Sequence, residues 1–161
     1  MKQSDPIKID GIYYRLNHGN KTAEVTHSNG DIYTGSIVIP QSICFDGESY
    51  SVISIGEYAF DNCSELTSVI IPNTVTTIES AAFNSCTGLK SIIIPNSVTN
   101  IGIIAFNWCT GLKSIEIPNS VTNIGFGAFS GCSGLTSVTI PNSVVSIGYS
   151  AFTKCSAMTT I

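Results

Sequence analysis

Five of the chain's six cysteines stand 23 residues apart, at Cys63, Cys86, Cys109, Cys132 and Cys155, in the segments AFDNCSEL, AFNSCTGL, AFNWCTGL, AFSGCSGL and AFTKCSAM. Thiols at fixed spacing raise three kinds of chemistry: metal ligation, cross-linking and nucleophilic catalysis. Structural zinc draws its cysteines from closely spaced C-x(2–4)-C pairs, and no such pair occurs here. Equivalent cysteines on stacked units point the same way, which denies them the torsion of about 90° that a disulfide needs across its sulfurs. A nucleophilic cysteine needs an activating base, yet the two histidines, His18 and His27, lie upstream of all five thiols. The spacing therefore predicts small apolar side chains filling one corner of a repeating core. Cys44, outside the series, is the less constrained thiol.

Other reactive constellations are weaker still. The neighbouring carboxylates Asp46/Glu48, Glu57/Asp61 and Asp61/Glu65 fall on expected hairpins and turns, where they read as solvated surface. No glycine-rich loop leads from a strand into a helix to cradle phosphate. We therefore expect no enzyme, no cofactor and no metal site.

The elements that carry these residues follow from the period. Pro72, Pro95, Pro118 and Pro141 share the 23-residue spacing, as do Phe60, Phe83, Phe106, Phe129 and Phe152. A strict period of this length marks a solenoid. Within one unit, LKSIII (89–94) places Ile92 and Ile94 on the inner face of a short strand, with Ile93 outward. Pro95 lacks a donor and ends the strand, and Asn96 suits the turn that follows. Val98 and Ile101 return to the core along a second, irregular side. Gly102 and its equivalents Gly56, Gly125 and Gly148 are expected to give conformational freedom, and Ala105-Phe106 to open a single turn of helix or 3₁₀ helix. The fold class is an α/β repeat solenoid, its units stacked about 4.8 Å apart so that like residues form ladders.

Units such as CTGLKSIEIPNSVTNIGFGAF resemble the leucine-rich repeats of BspA-like bacterial surface proteins, over residues 52–161. The cysteine, three residues ahead of the first leucine, departs from the commonest leucine-rich consensus and favours this subfamily. The resemblance implies a leucine-rich-repeat right-handed superhelix with short parallel strands and one-turn helices. It also implies a secreted or cell-surface, non-catalytic scaffold that binds a host or bacterial surface protein in adhesion.

Residues 1–51 do not repeat and read as a β-meander N-terminal cap: strands at 7–9, 12–16 and 22–26, with turns at Asp10-Gly11, NHGN and SNGD. SIVIP (36–40) already matches the repeat strand. Between Pro40 and Val52 stand eleven residues where later units have two, so a hairpin turning at Phe45-Asp46-Gly47-Glu48 is inserted into the first coil. Residues 52–161 form the array. Its last repeat stops at Ile161 in mid-strand, from which we expect a fragment of a longer array or an end that meets a partner, with end-to-end contact.

Composition narrows the function classes. Charged residues make up 11% of the chain, against about a quarter in ordinary soluble domains, while 43% are hydrophobic. Residues 1–65 hold nine acids and four bases; residues 66–161 hold two acids (Glu79, Glu116) and three bases (Lys90, Lys113, Lys154). Seven scattered bases do not build the stripe that nucleic acid requires. The opening MKQSDPIKID lacks an apolar leader core, and no run reaches the roughly 18 apolar residues of a membrane span, so no membrane insertion is expected.

A partner then has the outward columns of the strand side. These run Thr67, Lys90, Lys113, Thr136; Ser68, Ser91, Ser114, Ser137; and Val38, Ile70, Ile93, Glu116, Thr139. The first and third columns are the expected protein-binding residues. An alternative patch comprises Ile103, Ile104, Trp108, Phe126 and Tyr149, of which Trp108 is the residue the repeat does not explain. A glycan-binding module, for which the strand side lacks aromatic platforms, and an inert spacer are the alternative functions.

Overall fold

The computed structural model describes residues 5–27 and 30–160. Ser28 and Asn29 of the expected SNGD turn, and Ile161 of the expected last strand, lie outside the described residues. The chain opens with β1 (Ile7–Ile9), β2 (Ile12–Asn17) and β3 (Thr22–Thr26), paired antiparallel in that order. Asp10 and Gly11 join β1 to β2 with φ of 48° and 85°, the two positive values that match hairpin twist. After β4 (Gly35–Val38) comes the inserted hairpin, β5 (Ser42–Phe45) and β6 (Glu48–Ile55), turning on Asp46 and Gly47 at 51° and 77°.

From β6 onward each coil contributes two strands. On one side lie β4, β7 (Leu66–Ile70) and β9 (Ser91–Ile93) in one parallel sheet, and β11 (Ser114–Glu116) with β13 (Ser137–Thr139) in another. On the second side lie β6, β8 (Thr77–Ile78), β10 (Asn100–Ile101), β12 (Asn123–Ile124) and β14 (Ser146–Ile147). This second side corrects the expectation of an irregular segment. It continues the cap: β3 pairs parallel with β6, so one nine-stranded sheet runs from β1 to β14. Two residues per coil make a ladder because each pairs with its equivalent in the next, Asn100 with Asn123 and Ile101 with Ile124.

The third side holds no helix among the described residues, in place of the expected one-turn helices. The N–H groups of Ala59, Asp61 and Cys63 donate three residues back, to Gly56, Tyr58 and Phe60, at 3.1–3.2 Å. Those of Tyr58, Phe60 and Asn62 donate instead to the next coil, to Ser80, Ala82 and Asn84, at 2.8–3.1 Å. A 3₁₀ helix needs consecutive bonds within the chain, and here every second donor is turned outward along the stack. Two left-handed positions per coil do the turning: Tyr58, Ala81, Ile104, Gly127 and Ser150 at 48–60°, and Asn62, Ser85, Trp108, Gly131 and Lys154 at 56–75°.

Gly56, Gly102, Gly125 and Gly148 are absent from the left-handed set, which corrects their reading as points of conformational freedom. They supply room. A Cβ on Gly125 would stand 2.5 Å from the backbone carbonyl carbon of Gly102 in the preceding coil.

The core is a bundle of columns. Phe60, Phe83, Phe106 and Phe129 are fully buried, and neighbouring rings along the column to Phe152 lie 5.0–5.3 Å apart and within 8° of parallel. Tyr33 from the cap packs against Phe60 at 4.8 Å and closes that end of the column. Burial pushes the Tyr33 hydroxyl up to about 12, while its O–H donates to the carbonyl of Thr26 at 3.1 Å.

Candidate functional site

The thiol column sets its chemistry first. All six cysteines are free thiols, and Cys86, Cys109 and Cys132 are fully buried. In four of them the Sγ–H donates to the carbonyl of the phenylalanine 26 residues earlier: Cys86 to Phe60 at 3.0 Å, and Cys109, Cys132 and Cys155 to Phe83, Phe106 and Phe129 at 3.1 Å. Burial pushes the Cys109 thiol well above its ordinary value and Cys132 up to about 12. Thiols so held stay protonated and act as fasteners between coils. In native protein we expect iodoacetamide to label Cys44, the exposed thiol, while Cys86, Cys109 and Cys132 react only after unfolding. Mass spectrometry of quenched aliquots reads this directly, and rapid native labelling of Cys109 would count against it.

Among the described residues no three His, Cys, Asp or Glu side chains converge to hold a metal. Asp61, one of the paired carboxylates, serves the stack: its two oxygens accept from Asn62 and Asn84 at 2.7 Å, and Asn107 donates on to Asn84 at 2.9 Å. Glu79, partly buried and near Glu24 and Glu57, is shifted upward by desolvation and then by those two charges.

On the strand face the structure brings the expected residues into register. Val38 pairs with Ile70 and Ile70 with Ile93, and these side chains are 62%, 57% and 80% exposed. Glu116 pairs with Thr139, but in the separate sheet of β11 and β13. Thr67, Lys90, Lys113 and Thr136 form an exposed margin, linked by N–H to carbonyl bonds of 3.2 Å from Lys90 to Thr67, 3.4 Å from Lys113 to Lys90, and 3.2 Å from Thr136 to Lys113. Between the two margins run the serines, with Ser36 and Ser68 sharing a hydroxyl bond of 2.7 Å.

Where β11 and β13 end, a shallow groove of about 820 Å³ lies among Asn96, Glu116, Pro118, Asn119, Thr139 and Asn142. The sequence assigns Asn96 only to the turn after Pro95, and Asn119 and Asn142 are its equivalents in the next two coils. Their signal was the Pro-Asn pair recurring at the same point of every unit, which puts one exposed amide on each coil.

The alternative patch divides into two columns. Ile103, Phe126 and Tyr149 follow the close-packed glycines of successive coils and are 51%, 50% and 83% exposed, with the Phe126 and Tyr149 rings stacked at 6.3 Å. Ile104 stands beside them, half-buried and left-handed at 48°. Trp108 belongs to another column. Its ring lies over Gly131, where any Cβ would stand 2.8 Å from it, and the ammonium of Lys154 sits 5.5 Å from the ring centroid. Packing on a bare glycine and a cation over its face account for this tryptophan.

Among the described residues no helix is long and apolar enough to cross a membrane. A family model described as BspA type leucine rich repeat region matches residues 39–161 in six copies. No curated protein matches the chain. Among solved structures, a leucine rich repeat protein of T. pallidum is 31% identical, with a TM-score of 0.82, over 96% of this chain and 69% of its own. A leucine rich cell surface protein from Faecalibacterium prausnitzii is 29% identical, with a TM-score of 0.64, over 99% of this chain and 55% of its own. A leucine-rich repeat protein from Eubacterium ventriosum is 25% identical, with a TM-score of 0.77, over 96% of this chain and 38% of its own.

Proposed function

Because the chain belongs to the BspA-type leucine-rich repeat family, whose repeats generally serve as non-enzymatic protein-interaction scaffolds, we propose that it binds a protein ligand through its strand face. The exposed strip of Val38, Ile70 and Ile93 carries this reading. Three large aliphatic side chains stand in register on a sheet face, outside the core, and such strips mark contacts. The proposal extends to a secreted or cell-surface protein acting in adhesion to a host or bacterial surface, in keeping with a relative described as a cell surface protein. In it, residues 1–51 act as a cap over the array of 52–161, whose coils wind as a right-handed superhelix.

A second reading is a glycan-binding module, favoured by one observation: the exposed Phe126 and Tyr149 stack is an aromatic surface of the kind sugars cover. Protein and glycan arrays probed with wild type, Ile93→Asp and Tyr149→Ala separate the two. We expect a protein ligand whose binding falls about tenfold or more in Ile93→Asp, the size of one interface hot spot, with an unchanged melting curve. Glycan binding lost only in Tyr149→Ala would select the second reading, and no binding on either array would leave a spacer.

A further inference from the structure

Among the described residues, two ammonium groups on the strand face have no counter-ion. Lys90 and Lys113 occupy the same position in successive coils, immediately ahead of β9 and β11, and both are exposed. The ion pairs of the described residues, Lys8–Asp31, Arg15–Glu24 and Lys21–Glu48, all belong to the cap and its hairpin, and none involves either lysine. Beyond residue 65 the only acids are Glu79 and Glu116. The Lys113 chain lies over Gly134 of the next coil, near which its ammonium ends. Like charges in register on neighbouring strands repel, and no described carboxylate is paired with either lysine.

The same two residues flank a change of ladder on this face. The sheet of β4, β7 and β9 ends and that of β11 and β13 begins between them, and the Lys113 N–H reaches the Lys90 carbonyl at 3.4 Å. Three residues beyond Lys90, roughly 10 Å away, stands Ile93, in register with Ile70 and Val38 of the apolar margin, while three residues beyond Lys113 stands Glu116. The floor between is made of serines, small side chains between two taller rows. Its width is that of an α-helix, about 10 Å with side chains.

We infer that the strand face takes an amphipathic helical segment of its partner protein, with carboxylates along one edge against Lys90 and Lys113 and aliphatic side chains along the other against Ile70 and Ile93. The inference rests on the protein-binding reading above and adds the partner's chemistry. Glu116, which follows Ile93 in the apolar column, sets the orientation by repelling the acidic edge from that margin.

The probe is a labelled synthetic helix of about five turns with Glu along one edge and Leu along the other, titrated by fluorescence anisotropy beside a Lys/Leu counterpart. The Glu/Leu helix should bind saturably and the Lys/Leu helix should not. Lys90→Glu with Lys113→Glu should weaken binding about tenfold, and Ile93→Asp by a similar factor, while Glu116→Lys should strengthen it severalfold. Lys90→Gln with Lys113→Gln, which removes the repulsion without reversing charge, guards against misfolding and should weaken binding by a smaller factor. Raising salt to about 0.5 M should erode the lysine-dependent part and spare the Ile93-dependent part. Equal binding of both helices, no saturable binding of the Glu/Leu helix, or displacement by inorganic phosphate without dependence on Ile93 would each overturn the inference. If it is overturned while an array-selected protein still needs Ile93, the scaffold reading stands with a partner of other chemistry; if the arrays are also blank, both fall.

Discussion

Alanine in place of Phe106 is expected to destabilise the protein by about 3–5 kcal/mol, the range for emptying a buried aromatic site. The ring is fully buried and lies between Phe83, 5.1 Å away and 4° from parallel, and Phe129, 5.3 Å away and 2° from parallel. Truncation removes one ring from two contacts at once. The hole has little means of closing, because the backbone there is pinned along the stack: the Phe106 N–H donates to Ala128 at 2.7 Å and the Phe83 N–H to Ala105 at 2.7 Å. Since each coil touches only its neighbours, the loss falls on both interfaces of the middle of the array and also threatens its cooperativity. Urea unfolding followed by circular dichroism measures the effect. A loss below about 1 kcal/mol, with an unchanged slope, would mean that the column relaxes into the gap.

Gly125→Ala is expected to cost at least about 3 kcal/mol, the upper end for forcing a group into packed space. The added methyl would meet the carbonyl carbon of Gly102 at 2.5 Å, its oxygen at 2.6 Å and the amide nitrogen of Ile103 at 2.6 Å, all of them backbone. No rotamer relieves such a contact, and the two coils would have to separate at the point where β10 and β12 pair. Gly127→Ala, two residues away, is the internal comparison. Gly127 is left-handed at 59°, its nearest neighbour is a side-chain methyl of Ile104 at 3.2 Å, and the equivalent position two coils earlier is already an alanine, Ala81 at 55°. Its cost should stay near the 1–2 kcal/mol of left-handed backbone. Thermal melts of the two variants distinguish room from conformational freedom, and equal losses would refute the distinction.

The parts of this fold that were legible from residues are those set by local chemistry. Asp10-Gly11 and Asp46-Gly47 carry their own turn geometry, and the alternation in 89–94 with Pro95 behind it is complete within one unit. The spacing also placed the outward columns, including Val38, which pairs with Ile70 across a longer separation because SIVIP repeats the strand motif. The second sheet was not legible because Val98 and Ile101 stand three apart, and a two-residue strand exists only once its equivalents are stacked beside it. The alternating bonds of the turn side are likewise a property of the stack. A glycine that makes room and one that permits a left-handed turn read alike in a sequence, and the close approach behind Gly125 separates them. Trp108 seemed unaccounted for because its reason lies 23 and 46 residues away, in Gly131 and Lys154. For the candidate site, positions were legible but not their environment: the lack of a counter-ion for Lys90 and Lys113 among the described residues, the change of ladder between β9 and β11, and the groove beside Glu116 emerge only when the coils are assembled.

The turn side, where successive N–H groups point alternately into their own coil and on to the next, has a consequence for how such a molecule diversifies. Every coil offers its successor the same donors and acceptors, so the stack has translational symmetry in its bonding while its outward letters are free. The left-handed position that reads Asn62, Ser85, Trp108, Gly131, Lys154 has taken five identities without altering the backbone around it. Inheritance by whole-unit duplication would preserve every bond, and a new surface would be written one column at a time on an unchanged frame.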